Sequence, residues 1–399
     1  KEYSKTSTPP NNPKKITAMQ DMKLKISNAT VRSIRLMTLW GLLLTQTLSV
    51  FANAPEQEFS RSINREFSTT ANGMTAVYNK YGTVNVKTWG NNSVKIDITI
   101  IVNAKDQREA DKMFDRIKVN FANALGYVKA ETMIASKSGW WVEDNTYEDF
   151  KINYEVWMPS GNQLDLKNKY GNAYVANMSG KLTAEIKYGD LRTETISNDA
   201  DLNIAHAKVH LTKVNNLYGQ LSYGKLSLVD ARDVQFDSKY SEINVEHASN
   251  VRLTSKNDDL VFGSLEDLRL QTKYSNLKLQ KARAAFFTTQ YTDVRIVNVG
   301  EAIDADMCYG SLKIESLGRN FNGVNIIGRY TDVIIAAERG AAFRFDAQGN
   351  YTGMRTPTGA TIRRRDDQGS RETVEGFVGD ANARGVVKAR LSYGDFVLR

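Results

Sequence analysis

The chain has 399 residues, 41% of them apolar and 10% aromatic, with 53 Lys and Arg against 45 Asp and Glu. That apolar content supplies one large core or two ordinary ones and excludes a disordered or collagen-like chain. One cysteine excludes a disulfide scaffold, a thiolate zinc site and an iron–sulfur cluster, and three histidines leave little for a histidine metal centre.

The net charge of +8 invites a nucleic-acid partner, but its location argues otherwise. Residues 1–54 hold eight basic and two acidic groups, which leaves 45 basic against 43 acidic in the remainder. The excess sits in a leader that reads as a secretory signal. From Met22, the basic residues Lys23, Lys25, Arg32 and Arg35 precede an apolar run from Leu36 to Phe51, and Ala52 and Ala54 mark two competing cleavage points. The run is about 16 residues, short for a bilayer-spanning helix, so the mature chain is expected to lack one; a membrane anchor is the alternative. The leader holds no cysteine for lipid attachment. An exported protein follows, resident in the periplasm or on the surface of a Gram-negative bacterium, with no nucleic-acid partner.

Residues 55–160 read as a small β-rich domain with one helix. Strands are expected over Thr83–Trp89, Ser93–Val102, Tyr127–Ile134 and Phe150–Met158, where apolar residues alternate. Lys105–Arg116 is the helix candidate, capped by Asn103, with Ala110, Met113, Phe114 and Ile117 on its apolar face. Met158-Pro159-Ser160-Gly161 then punctuates the chain, and the domain boundary is placed there.

Residues 161–335 repeat. Aligned positions are Tyr170, Tyr188, His206, Tyr223, Tyr240, Asn257, Tyr274, Tyr291, Tyr309 and Tyr330, in steps of 17 or 18 residues until a last step of 21. A small residue follows the tyrosine, then a polar turn-former, then apolar residues at the third and fifth places (Leu226/Leu228, Ile243/Val245, Leu277/Leu279). A second apolar pair stands near the eleventh and thirteenth (Val234/Phe236, Val251/Leu253). Two short period-2 segments cannot bury an apolar face alone and must stack on their neighbours. The prediction is a mainly β chain: a right-handed parallel β-solenoid of about ten 17–18-residue coils. The tyrosines are expected to form a ladder pointing inward or filling a corner, and the glycine after each to supply the positive φ of the turn.

Residues 336–399 are expected to cap the far end with hairpins, because a bare solenoid end exposes unpaired backbone groups. The same Tyr-Gly-x-apolar-x-apolar unit recurs at Tyr81 and at Tyr393-Gly394-Asp395-Phe396. These units, the signal peptide and the Pro-Ser-Gly that precedes the coils resemble the bacterial adhesin-like families of the head GIN type, frequent in Bacteroidota-type bacteria. The resemblance covers roughly residues 75–399. It implies a non-enzymatic module binding a protein or glycan at the cell envelope, and it supplies no catalytic residue, metal or cofactor.

Candidate sites are few. Asn257-Asp258-Asp259, with Glu266 and Asp267, is the best acid cluster for the alternative function, a polysaccharide lyase or glycoside hydrolase. The competing reading places Asn257 in the ladder and the acids in solvated turns. Trp140 and Trp141 form an aromatic pair able to stack on sugar rings or to pack in a core. His206 and His210 stand at a metal-pair spacing, but His206 belongs to the tyrosine column. The Asx column (Asn172, Asp190, Asp259, Asn276, Asp293, Asp332) is read as a turn ladder rather than a Ca²⁺ site, and Arg363–Arg365 as a solvated loop.

Overall fold

The computed structural model describes residues 56–135 and 150–399. The leader and its cleavage points lie outside the described residues.

The first elements are β1 (Gln57–Ser68), β2 (Met74–Lys80), β3 (Val84–Trp89), β4 (Ser93–Ala104), α1 (Gln107–Arg116), β5 (Ile117–Ala124), β6 (Tyr127–Ile134) and β7 (Phe150–Pro159). The helix begins later than its pattern implied. Asp106, not Asn103, is its cap: the Asp106 carboxylate accepts the Glu109 N–H at 2.8 Å while Glu109 reaches back to the Lys105 N–H at 3.0 Å. This reciprocal pair satisfies two N–H groups that a helix start would otherwise leave unpaired. Ala110 and Phe114 are buried as expected, whereas Ile117 already opens β5.

Successive parallel rungs follow: β8 (Gln163–Lys169), β9 (Ala173–Val175), β10 (Leu182–Lys187), β11 (Leu191–Ala205), β12 (Lys208–Ser222), β13 (Lys225–Lys239), β14 (Glu242–Lys256), β15 (Asp259–Lys273), β16 (Asn276–Leu317) and β17 (Gly323–Ala337). Equivalent residues meet rung to rung, as in Leu226↔Ile243↔Leu260↔Leu277 and Val234↔Val251↔Leu268↔Ala285. This is a parallel β-solenoid, and the repeat read from the tyrosines sets its register. Both apolar pairs of each coil point inward and are buried, so every rung's core side chains pack on those above and below.

The C-terminal elements are β18 (Phe343–Asn350), β19 (Met354–Arg355), β20 (Thr361–Asp367), β21 (Arg371–Val378), β22 (Gly385–Ser392) and β23 (Phe396–Leu398). Here chain order and spatial order part. β22 and β23 form a rung in parallel register with β17 on one side and with β18 and β19 on the other. The opposite end repeats the device, since β2 and β3 lie between β8–β9 and β6–β7, again in parallel register. Beyond these inserted rungs the pairing turns antiparallel, through β4 and β1 on β7, β5 on β6, and β21 and β20 on β18. Each end is thereby covered by hairpins rather than left as a bare parallel edge.

The turn at most of the tyrosines differs from its expectation. Among the described residues the non-glycine positions with positive φ are Tyr81, Tyr351, Tyr393 and the ten aligned positions, all between 51° and 63°. The ladder residue itself takes the left-handed conformation. Of the glycines that follow it, Gly310 and Gly394 take positive φ as expected, at 141° and 144°, whereas Gly82, Gly171 and Gly189 do not; their service is space. A Cβ on Gly171 would stand 1.8 Å from the Gly82 carbonyl oxygen, and one on Gly189 2.0 Å from that of Gly171. Gly171→Ala should therefore force two rungs apart and cost about 1–3 kcal/mol in urea denaturation. A wild-type midpoint would mean the corner can relax to the geometry it has at Ser241.

Candidate functional site

The ladder residues form one outward-facing column, broken at a single rung. Their order in space is Tyr81, Tyr170, Tyr188, His206, Tyr223, Tyr240, Asn257, Tyr274, Tyr291, Tyr309, Tyr330, Tyr393 and Tyr351. Neighbouring rings stack at 4.7–5.2 Å and within 15° of parallel. The inward alternative is overturned, because the rings of Tyr170 to Tyr330 remain 40–53% exposed on the outside of the corner. Left-handed φ swings the side chain out of the strand's alternation, so parity along the coil misplaces it. Such a conformation costs on the order of 1–3 kcal/mol per residue. Stacking returns about 0.5–1.5 kcal/mol per pair, and each corner N–H also donates to the next rung, as Tyr223 does to the Lys239 carbonyl at 3.1 Å. Within the stack, partial burial and then the flanking phenols of Tyr291 and Tyr330 hold the Tyr309 hydroxyl above its ordinary pKa.

Asn257 interrupts the column. It keeps the corner, with φ 56° and its N–H on the Lys273 carbonyl at 2.9 Å, but it brings no ring. Asparagine enters this conformation more readily than most residues. The break exposes the faces of Tyr240 and Tyr274, two rungs or roughly 10 Å apart at ~4.8 Å per rung.

Beneath the break lies a polar corner of the core. Asp258 is only 3% exposed, so its expected place in a solvated turn is wrong. Its carboxylate accepts the Ser238 hydroxyl at 2.6 Å, the Ser255 hydroxyl at 2.7 Å, the Ser241 N–H at 2.7 Å and the Lys256 N–H at 3.2 Å. Thr272 and Ser275 extend the same buried network. Asp258 is a structural acceptor with no face toward solvent.

Asp259 is exposed at the corner and accepts from Asn276 at 2.9 Å. Glu266 and Asp267 lie at the other end of the strand segment, roughly 20 Å of extended chain from Asp259. Asp267 is paired there with Arg283. The predicted acid cluster is not brought together. The Asx column does behave as a turn ladder: Asn172 accepts the Asp190 N–H, Asp190 the Lys208 N–H, and Asp293 the Ser311 hydroxyl. His206 stacks between Tyr188 and Tyr223 while His210 points outward from its own strand. Among the described residues no group of three or more His, Cys, Asp or Glu is placed to hold a metal ion. Arg364 and Arg365 pair with Glu375 and Glu372, and Arg363 lies over the Phe377 ring. Trp140 and Trp141 lie outside the described residues.

One feature was missed in the sequence although its signal is there: lysine precedes the ladder residue at Lys80, Lys169, Lys187, Lys239, Lys256 and Lys273. Lys80 and Lys169 lie over the Tyr81 and Tyr170 rings at 4.6 and 4.7 Å. Lys239, Lys256 and Lys273 are in direct parallel register, exposed, alongside the break. On the same outward wall Arg252 and Arg269 form a second register pair, with Arg269 over the Phe286 ring.

No family model matches this chain, and no curated protein matches it. Solved structures do. A "putative adhesin" from Bacteroides fragilis is 12% identical with a TM-score of 0.24, covering 85% of this chain and 97% of its own. A "putative adhesin" from Parabacteroides merdae is 9% identical with a TM-score of 0.30, covering 70% and 92%. A "putative lipid binding protein" from Parabacteroides distasonis is 13% identical with a TM-score of 0.25, covering 69% and 92%. Likeness at this level says nothing of function. Among the described residues no helix is long and apolar enough to cross a membrane, which leaves β-barrels unaddressed.

Proposed function

We propose that the chain is an exported, non-enzymatic β-solenoid that serves as an interaction module at the cell envelope. The observation that carries this reading is how the polar side chains are used. The acids that would serve a hydrolase or lyase are sealed in the core (Asp258), bonded from rung to rung (Asp259) or ion-paired at the far corner (Asp267). What faces solvent is a repeated wall with an aromatic edge, suited to many small contacts rather than one enclosed pocket. The basic leader ahead of a near-neutral body supports export.

A glycan array run beside a turnover assay on the same sugars tests it. Retention of glycans without cleavage, and a periplasmic or surface fraction for the full chain, are expected. Cleavage that disappears in Asp259→Ala would replace this reading with the carbohydrate-active one.

A further inference from the structure

The break in the ladder and the cations beside it belong to one patch of wall. Column by column, the outward residues of three consecutive rungs are Gln235, Asp237 and Lys239, then Arg252, Thr254 and Lys256, then Arg269, Gln271 and Lys273. Five cations thus face a single acid, Asp237, and no ion pair joins any of the five to an acid among the described residues. Other solenoid cations are ion-paired, Lys225 with Glu242, Lys213 with Asp230 and Arg283 with Asp267 and Glu301, while Arg192 and Lys208, with no ion pair among the described residues, do not stand in a three-rung lysine column. Like charges at roughly 4.8 Å rung spacing repel, so an unpaired column of three lysines is a standing electrostatic cost that an anion would relieve.

The ladder itself states what fits the break. Rings of this column stack 5.0 Å apart on either side of it, Tyr223 on Tyr240 and Tyr274 on Tyr291. A ring placed midway between Tyr240 and Tyr274 would therefore meet both faces at the separation that the rest of the column uses. The floor of this slot is the Asn257 amide, a donor and acceptor. The exposed residues that flank it along the chain are Lys256 and Asp259, the latter accepting from Asn276. Next to the lysines the wall opens into a cleft lined by Arg252, Arg269, Gln271 and the Phe286 ring, with Asp304 and Asp306 on its far side.

We propose that this patch binds an acidic polysaccharide, with one sugar ring held between Tyr240 and Tyr274 and its carboxylate or sulfate groups on Lys239, Lys256 and Lys273. The hydroxyls of a sugar ring in the slot suit Asp259 and Asn257 as hydrogen-bond partners. The inference rests on the interaction-module reading and names its ligand class and site.

Titration calorimetry on the full chain tests it, with polygalacturonate and chondroitin sulfate as probes, dextran as the neutral control and oligodeoxythymidine as the competing polyanion. Both acidic polysaccharides should bind and dextran should not. Asn257→Tyr closes the slot with the residue that the column already uses, so it should leave the circular dichroism and melting unchanged while weakening binding about tenfold. The triple change of Lys239, Lys256 and Lys273 to Ala should abolish binding, and Lys256→Glu alone should weaken it, should the triple variant fail to fold. Arg364→Ala, far along the chain in β20, should have no effect. Undiminished binding by Asn257→Tyr and Lys256→Glu overturns the site, as does tighter binding of oligodeoxythymidine than of either polysaccharide. Retention of neutral glycans alone sinks this inference and spares the interaction-module reading, whereas no glycan bound on any array sinks both.

Discussion

Replacing Asp258 with alanine should destabilise the protein by about 3–5 kcal/mol, more than any other single acid-to-alanine change in the solenoid. The carboxylate gathers two serine hydroxyls and the Ser241 N–H in the buried corner, and the half-buried Lys256 N–H at its rim. Removing it leaves the Ser238 hydroxyl and the Ser241 N–H without an acceptor in the buried corner, and each such group carries a desolvation penalty of about 1–3 kcal/mol before relaxation. Asp258→Asn should cost less but still measurably, since an amide keeps one acceptor oxygen and presents a donor to groups that already donate. The neighbouring Asp259→Ala, on the exposed side of the same corner, should stay within about 0.5 kcal/mol. Urea denaturation of the three variants separates the cases. Equal midpoints for Asp258→Ala and Asp259→Ala would show that the buried network contributes nothing to stability.

Deleting residues 381–399 should drive the protein into assemblies larger than those of the full chain, or into aggregate. The deleted segment is the rung between β17 and β18, and its side chains Val387, Leu391, Phe396 and Leu398 are at most 4% exposed. Each contributes about 1.5–3 kcal/mol by burial. Its loss also strips both hydrogen-bonding neighbours, so β17 becomes a long apolar parallel edge, the kind that templates pairing with another chain. Size-exclusion chromatography with light scattering should show association, and hydrogen exchange should rise across Gly323–Asn350. A truncated protein that keeps the full chain's oligomeric state and protection would mean that β18 closes directly onto β17.

Much of this architecture is written along the chain. The spacing from Tyr170 to Tyr330 fixes the coil length, and the apolar pairs that follow each tyrosine fix which side of every strand is buried. The register found between β12 and β17 is the one those columns imply. β1 was not legible: Phe59, Ile63 and Phe67 recur every four residues in an otherwise polar segment, because a strand lying on one side of β4 needs only a sparse apolar contact. β2 was missed as well, since its partner β8 is distant in the chain, and so was β5, which forms a tight hairpin with β6 but carries only Ile117, Val119 and Phe121 as an apolar face.

The candidate site divides the same way. Asn257 and its two aspartates stand out in the sequence as the coil that loses its tyrosine, but whether Asp258 faces water or core depends on the turn beside it. Sequence period assigns sides only while the backbone stays extended, and a left-handed residue at every corner breaks that count. So the chain alone determined the repeat, its register and the composition of its core, all of which follow from local periodicity. The three-dimensional fold decided which way the tyrosines turn, which acid is sealed inside, and where the first and last rungs insert, because these depend on φ values and on pairings between residues far apart in the chain.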